Sequence, residues 1–160
     1  MRKKNNVLYT VMILALSIAF SSLVFAKPNT RLDGDVYIEF QQDFNPPDQP
    51  YSFIGTVSGD IEGTLYVALI DAWFDPAGVK VEHFIEEWRI EPESGGYIEG
   101  ENVGKWTFSN FKWVGNGEVT GASVEYANLI GSKWQYSGTT NSPDEVPLEG
   151  YGTWHITHNK

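Results

Sequence analysis

The stretch Ile61–Ile70 reads IEGTLYVALI, and its side chains alternate in polarity. Apolar side chains recur in steps of two, at Ile61, Leu65, Val67 and Leu69, with more polar ones between them. Successive side chains of a β-strand point to opposite faces of the sheet. A period of two therefore predicts a strand with one dry face and one wet face.

Similar extended segments fill the rest of the chain after residue 26, and Gly, Pro, Asn, Asp and Ser separate them. The predicted strands are Val36–Phe40, Tyr51–Val57, Ile61–Ile70, Val79–Ile90, Tyr97–Gly100, Trp106–Trp113, Glu118–Gly121, Ser132–Thr139 and Gly150–Thr157. The predicted turns are Ser58–Asp60, Asp75–Gly78, Ser94–Gly96 and Gly115–Gly117.

Short strands joined by turns, with no helical periodicity between them, predict an all-β fold. We expect residues 27–160 to form one small closed antiparallel β-barrel of about eight strands, a size that fills with side chains or encloses one small ligand. A β-sandwich is the alternative. The segment 120–131 does not alternate, and we expect a tight turn there whose Tyr126 and Leu129 plug the core.

Residues 1–26 have the pattern of a secretory signal peptide. Basic Arg2, Lys3 and Lys4 precede an apolar run, and small residues up to Ala26 suit a cleavage site. An uncleaved membrane anchor is the alternative, because the apolar run is long enough to cross a bilayer. We therefore expect a secreted or periplasmic protein, with no membrane contact once the signal is removed.

Composition narrows the function classes. The formal net charge is −10, which argues against nucleic acid and anionic lipid as partners, since both attract a basic surface. The chain has no Cys, so thiolate metal sites and thiol nucleophiles are absent. Because no metal-binding or hydrolase motif is present either, we predict no metal, cofactor or catalytic residue. Nothing in the sequence indicates an oligomeric state.

The non-alternating segment resembles a turn of allene oxide cyclases and dirigent proteins, which have a Thr-Gly-Gly-x-Gly-x-Phe motif and a later Gly that opens the next strand. Thr120-Gly121 and Gly131 match, and Tyr126 replaces the aromatic residue, whereas Ala122 and Ser123 stand where further glycines would follow. Residues 55–63 also resemble early strands of secreted barrels of this kind. The resemblance implies a calycin-like barrel, and it transfers no catalytic residue.

The aromatic and polar residues of three predicted strands and the turn supply a candidate ligand-binding set. His83 and Glu87 fall on one face of Val79–Ile90 and would form an acid–base pair if that face were internal; the alternative is a solvent-facing ion pair with Arg89. Aromatic side chains would form the walls. The candidate residues are His83, Glu87, Trp88, Trp106, Tyr126, Trp134 and Tyr136.

Two functions remain open at this point, beside a purely structural role. The first is binding of a small lipophilic molecule, with or without its isomerisation, in a cavity of about 300 Å³ or more inside the barrel. The second is a non-catalytic surface or carbohydrate-binding domain, in which Trp73, Phe74 and Trp113 at loop edges would stack on sugar rings.

Overall fold

A computed structural model describes residues 31–40, 51–76, 80–142 and 144–158. The predicted signal peptide lies outside these residues, as does the segment 45–50, whose three prolines predict a loop. Eight strands and one short 3-10 helix follow in order: β1 Arg31–Phe40, β2 Phe53–Gly59, β3 Gly63–Phe74, β4 Val81–Pro92, β5 Ile98–Thr107, β6 Lys112–Ala122, the helix Val124–Leu129, β7 Lys133–Thr140 and β8 Glu149–Thr157.

The eight strands form one closed antiparallel barrel. Each strand pairs with the next one along the chain, and β8 pairs with β1 to complete the ring. The predicted closed barrel is confirmed, and the sandwich alternative is wrong. Closure pairs the edges of the sheet, which would otherwise expose unpaired backbone groups.

Two local predictions were wrong, and both concern β5 and β6. Trp106–Trp113 is not one strand, because the chain turns between Thr107 and Lys112, with Phe111 in the left-handed region at a φ of 55°. The predicted turn Gly115–Gly117 lies inside β6 instead. A Cβ atom at Gly115 would collide with the ring of Tyr136, so this glycine makes room for a neighbouring side chain.

Inward-pointing aromatic rings lie opposite glycines on neighbouring strands. At Gly100, for example, an added Cβ would come within 2.6 Å of Cζ2 of Trp88. The missing side chain lets the large ring lie flat against the wall, so that bulky rings fit inside a small barrel. The pairs are Phe84 with Gly104, Trp88 with Gly100, Trp113 with Gly138, Trp134 with Gly117, Tyr136 with Gly115 and Trp154 with Gly34.

The two ends of the barrel differ. The 3-10 helix covers one end, where Leu129 is buried and Tyr126 packs against the core, as predicted. The opposite end carries the β3–β4, β5–β6 and β7–β8 connections. Within the described residues, no helix has the length and hydrophobicity needed to span a membrane.

Candidate functional site

A cavity of about 190 Å³ occupies the barrel interior toward the end opposite the 3-10 helix. Its wall is mostly apolar and draws on the seven strands β1 to β7, from Val36 on β1 to Tyr136 on β7, and on Leu148 just before β8. This volume is smaller than the value of about 300 Å³ or more that we expected for a ligand-binding barrel. An engineered apolar cavity of about 150 Å³ holds benzene, so this one has room for a body of about one ring.

The polar part of the cavity comes from β4, β5 and β7. Strand alternation turns Glu86 inward together with Phe84 and Trp88, and cross-strand pairing places Asn102 opposite Glu86. Glu86 is 7% exposed and Asn102 is 3% exposed. A carboxyl group and an amide therefore lie inside a largely aromatic interior, where polar groups need partners.

Glu86, Asn102 and Tyr136 form a hydrogen-bonded group, called the Glu86 cluster below. The Tyr136 hydroxyl donates to Oε2 of Glu86 at 2.5 Å. Nδ2 of Asn102 donates to the same oxygen at 2.9 Å and to the Tyr136 hydroxyl at 3.0 Å. Two donors thus converge on one carboxylate oxygen.

Burial governs the protonation of this cluster. Desolvation raises the pKa of Glu86, and the hydrogen bonds from Tyr136 and Asn102 oppose part of that rise. The nearby carboxylate of Glu82 raises the pKa of Glu86 further, and burial raises the pKa of the half-buried Glu82 itself. Burial, followed by the charge of Glu86, raises the pKa of Tyr136 well above its usual value.

Several buried polar atoms of the interior have no hydrogen-bond partner. One is an acceptor, Oδ1 of Asn102. The others are donors, the indole nitrogens Nε1 of Trp88, Trp106, Trp113, Trp134 and Trp154. A buried polar atom without a partner is uncommon and calls for an explanation, and a ligand that supplies the missing partner is one.

The structure brings four predicted site residues together in the cavity wall: Trp88, Trp106, Trp134 and Tyr136. Trp88 and Trp134 stack with their ring centroids 4.4 Å apart. Tyr126 lies at the covered end, where its hydroxyl contacts Oγ of Ser94 at 2.6 Å, so it is not part of the cavity.

His83 and Glu87 do not reach the cavity, contrary to the sequence-based choice. They point outward because the even-numbered residues of β4 form its inner face. Nε2 of His83 contacts Oδ1 of Asp75 at 3.0 Å, and Arg89 pairs with Glu91 and Glu99. The missed residues are Glu86 and Asn102. Glu86 shares its strand face with Phe84, Trp88 and Ile90. An acid on an otherwise apolar face indicates an inward position, so the sequence alone could have identified Glu86.

The aromatic side chains proposed for sugar stacking are split between different environments. Trp113 is buried at 4% exposure and lines the cavity, so its predicted position at a loop edge was wrong. Trp73 is 46% exposed and stacks on the ring of His83, and Phe74 is similarly exposed. One exposed tryptophan therefore remains for the carbohydrate hypothesis.

Within the described ranges, no group of three or more His, Cys, Asp or Glu side chains is placed to hold a metal ion. The site is thus an apolar cavity whose polar groups are concentrated around Glu86. Such a chamber excludes water from most of a small molecule and fixes its orientation through a few polar contacts.

The fold and site together define a closed eight-stranded antiparallel barrel with an aromatic internal cavity. Comparisons with protein-family models, curated proteins and solved structures returned no match to the chain.

Proposed function

We propose that this protein is an extracytoplasmic barrel that binds a small, largely apolar molecule in its internal cavity. The observation that carries the proposal is the chamber itself. About 190 Å³ remains free in a barrel whose other inward positions are filled by buried aromatic and aliphatic side chains. Protein interiors are otherwise close-packed.

The secreted or periplasmic location belongs to the same proposal, as does the calycin-like relationship implied by the resemblance to allene oxide cyclases and dirigent proteins. The acidic composition supports a soluble carrier or sensor that does not bind nucleic acid or anionic lipid. Binding without chemistry accounts for the cavity, and no reaction is assigned to it.

Recovery of a bound molecule tests the proposal first. Native mass spectrometry of the purified mature protein, followed by organic extraction, is expected to show a small apolar compound or an empty protein that accepts one. Ligand at 100 times its Kd would stabilise the fold by about 2.7 kcal/mol, which a thermal shift assay detects.

Two neighbouring substitutions on β3 make the test specific. Val67→Phe would fill the cavity from an inward position, whereas Ala68→Phe adds the same ring on the outer face. We expect the first to abolish ligand binding and the second to retain it. Equal binding by both variants would place the ligand outside the barrel and contradict the proposal.

Carbohydrate binding is the second candidate, and the exposed ring of Trp73 favours it. Its test is a glycan array with the wild-type protein and with Trp73→Ala. Glycan binding that is lost in Trp73→Ala but kept in Val67→Phe would support this candidate over the cavity.

A further inference from the structure

We infer that the cavity selects a small primary amine with an apolar body and holds its ammonium group at Glu86, with Glu82 as a second acid in the same cavity wall. This inference rests on the proposed function, because it names the ligand class of the same cavity.

The N–H and O–H donors of Asn102 and Tyr136 are all used within the Glu86 cluster, whereas some of its acceptor oxygens have no partner there. Both Nδ2 protons of Asn102 go to Glu86 and Tyr136, and the hydroxyl proton of Tyr136 goes to Glu86. Oδ1 of Asn102 is buried without a partner. All hydrogen bonds described for Glu86 use Oε2, which leaves Oε1. Oε1 of Glu86 is therefore the acceptor that an ammonium group, which has three N–H donors, would meet in the cavity.

The charges of the cavity wall also favour a cationic ligand. Glu82 and Glu86 both line the cavity, and among the described lining residues none is Lys, Arg or His. Neither carboxyl group takes part in an ion pair in the described part of the chain. Two unpaired acids in an apolar chamber destabilise each other when ionised, and a bound cation would remove that repulsion.

The remaining wall suits the rest of such a ligand. Aromatic faces attract an ammonium group through the ring quadrupole. The volume of about 190 Å³ limits the apolar body to about one ring or a short chain. The rings that line the cavity are those of Phe40, Phe53, Phe84, Trp88, Trp106, Trp113, Trp134 and Tyr136.

The unpartnered indole N–H groups raise the opposite possibility, a ligand with a carboxylate. Two of them are directed at the barrel wall: Nε1 of Trp154 lies 2.7 Å from the position of a Cβ at Gly34, and Nε1 of Trp113 lies 3.2 Å from that at Gly150. An anion would also have to enter beside Glu82 and Glu86. The repulsion from two acids therefore favours the cation.

Binding of the amine implies a balanced proton exchange. If Glu86 carries a proton in the free protein, the ammonium ion displaces it, and one proton passes to the solvent while the carboxylate–ammonium pair forms. The titratable groups that face this site are Glu82 on the same strand and Tyr136 on β7, and both lie beside Glu86 in the cavity wall. Affinity for the amine should consequently rise as the pH increases through the raised pKa of Glu86.

Three probes of matched shape test the inference: phenethylamine, 2-phenylethanol and 3-phenylpropanoate. Their dissociation constants would be measured by tryptophan fluorescence at pH 7.5 in phosphate, since Tris is itself a primary amine. We expect the amine to bind at least about tenfold more tightly than the alcohol, because charge-assisted hydrogen bonds are roughly twice as strong as neutral ones. The carboxylate should bind most weakly.

Glu86→Gln and Glu82→Gln test whether the two cavity acids cause the preference for the amine over the alcohol. Each should reduce the amine-to-alcohol ratio by several-fold and leave the affinity for 2-phenylethanol nearly unchanged. Glu87→Gln, which removes an exposed acid from the outer face of the same strand, should leave the ratio as in the wild type. Glu82 is half-buried near the cavity mouth, so its variant serves if Glu86→Gln does not fold.

The outcomes separate the two proposals. If the alcohol binds and the amine binds no more tightly, the amine inference is overturned and the cavity function stands. A preference for 3-phenylpropanoate, or an amine preference that survives both glutamine variants, also overturns the inference. If none of the three probes binds and extraction yields nothing, the proposed function itself fails.

Discussion

Replacing Glu86 with Gln should make the stability of the barrel less dependent on pH. The amide has nearly the same shape as the carboxyl group, and its oxygen can still accept hydrogen bonds from Tyr136 and Asn102. The substitution removes only the ability to ionise. Differences between the two proteins therefore report the protonation of one buried group.

The sign follows from the direction of the pKa shift. Burial raises the pKa of Glu86 in the folded protein above its ordinary value of 4.5. Below pH 4.5 the folded and unfolded chains both hold the proton, and its contribution to stability is fully present. As the pH rises further the unfolded chain loses the proton first, so stability falls until the pH passes the folded pKa.

The size of the effect is set by proton linkage. Within this pH window each unit costs the wild type about 1.4 kcal/mol for one proton held only by the folded state. Glu86→Gln lacks this loss, so its advantage over the wild type should grow by about that amount per pH unit above 4.5. Groups that do not interact with Glu86 are the same in both proteins and cancel in the difference, whereas the repulsion between Glu82 and Glu86 is lost in Glu86→Gln and is part of it.

The assay is guanidinium unfolding followed by tryptophan fluorescence at half-unit intervals from pH 4 to pH 8. Glu87→Gln is the matched control and should show a constant difference from the wild type. A difference between wild type and Glu86→Gln that does not change with pH would refute the reasoning. It would mean that Glu86 is as well solvated in the folded protein as in the unfolded chain.

Three further substitutions test the packing, each by the same unfolding assay. Gly100→Ala should destabilise the barrel by about 1–3 kcal/mol, because the new Cβ would meet the backbone oxygen of Glu118 and the ring of Trp88; an unchanged midpoint would show that the β6 backbone and the ring both have room to move. Trp134→Ala should cost about 3–5 kcal/mol, since it removes a buried ring that stacks on Trp88. His83→Ala should change stability by less than about 1 kcal/mol, because its contact with Asp75 lies on the outer surface and is only partly buried; a larger loss would assign the outer pair a structural role.

The sequence was sufficient to predict the barrel, because alternation in segments such as 61–70 reports which residues can share a dry face. It was less informative about strand ends. A glycine in a turn and a glycine that pairs with an aromatic residue inside the sheet have the same letter, and Gly115 and Gly117 belong to the second kind. The two kinds differ in their cross-strand partners, here Tyr136 and Trp134. The sequence pattern of one strand does not identify the partners on the next.

The site was half-predicted for a related reason. Trp88 and Tyr136 were found because aromatic residues fill barrel interiors, whereas Glu86 was passed over in favour of His83 and Glu87. Residue chemistry guided that choice, although the face of the strand was the better guide. On β4 the even positions from Phe84 to Ile90 are otherwise apolar, so the acid at position 86 is the exception on the buried face.

That exception is the strongest reason to place the function inside the barrel. Leucine at position 86 would match its apolar neighbours and avoid the cost of burying an ionisable group, so packing alone gives no reason for glutamate there. The surrounding structure nevertheless accommodates the acid, since Asn102 and Tyr136 both donate to it and Gly115 leaves the space that the Tyr136 ring occupies. Departures from local packing rules that are supported by their neighbours are typical of functional sites. The carboxyl group is therefore best understood through what it would bind.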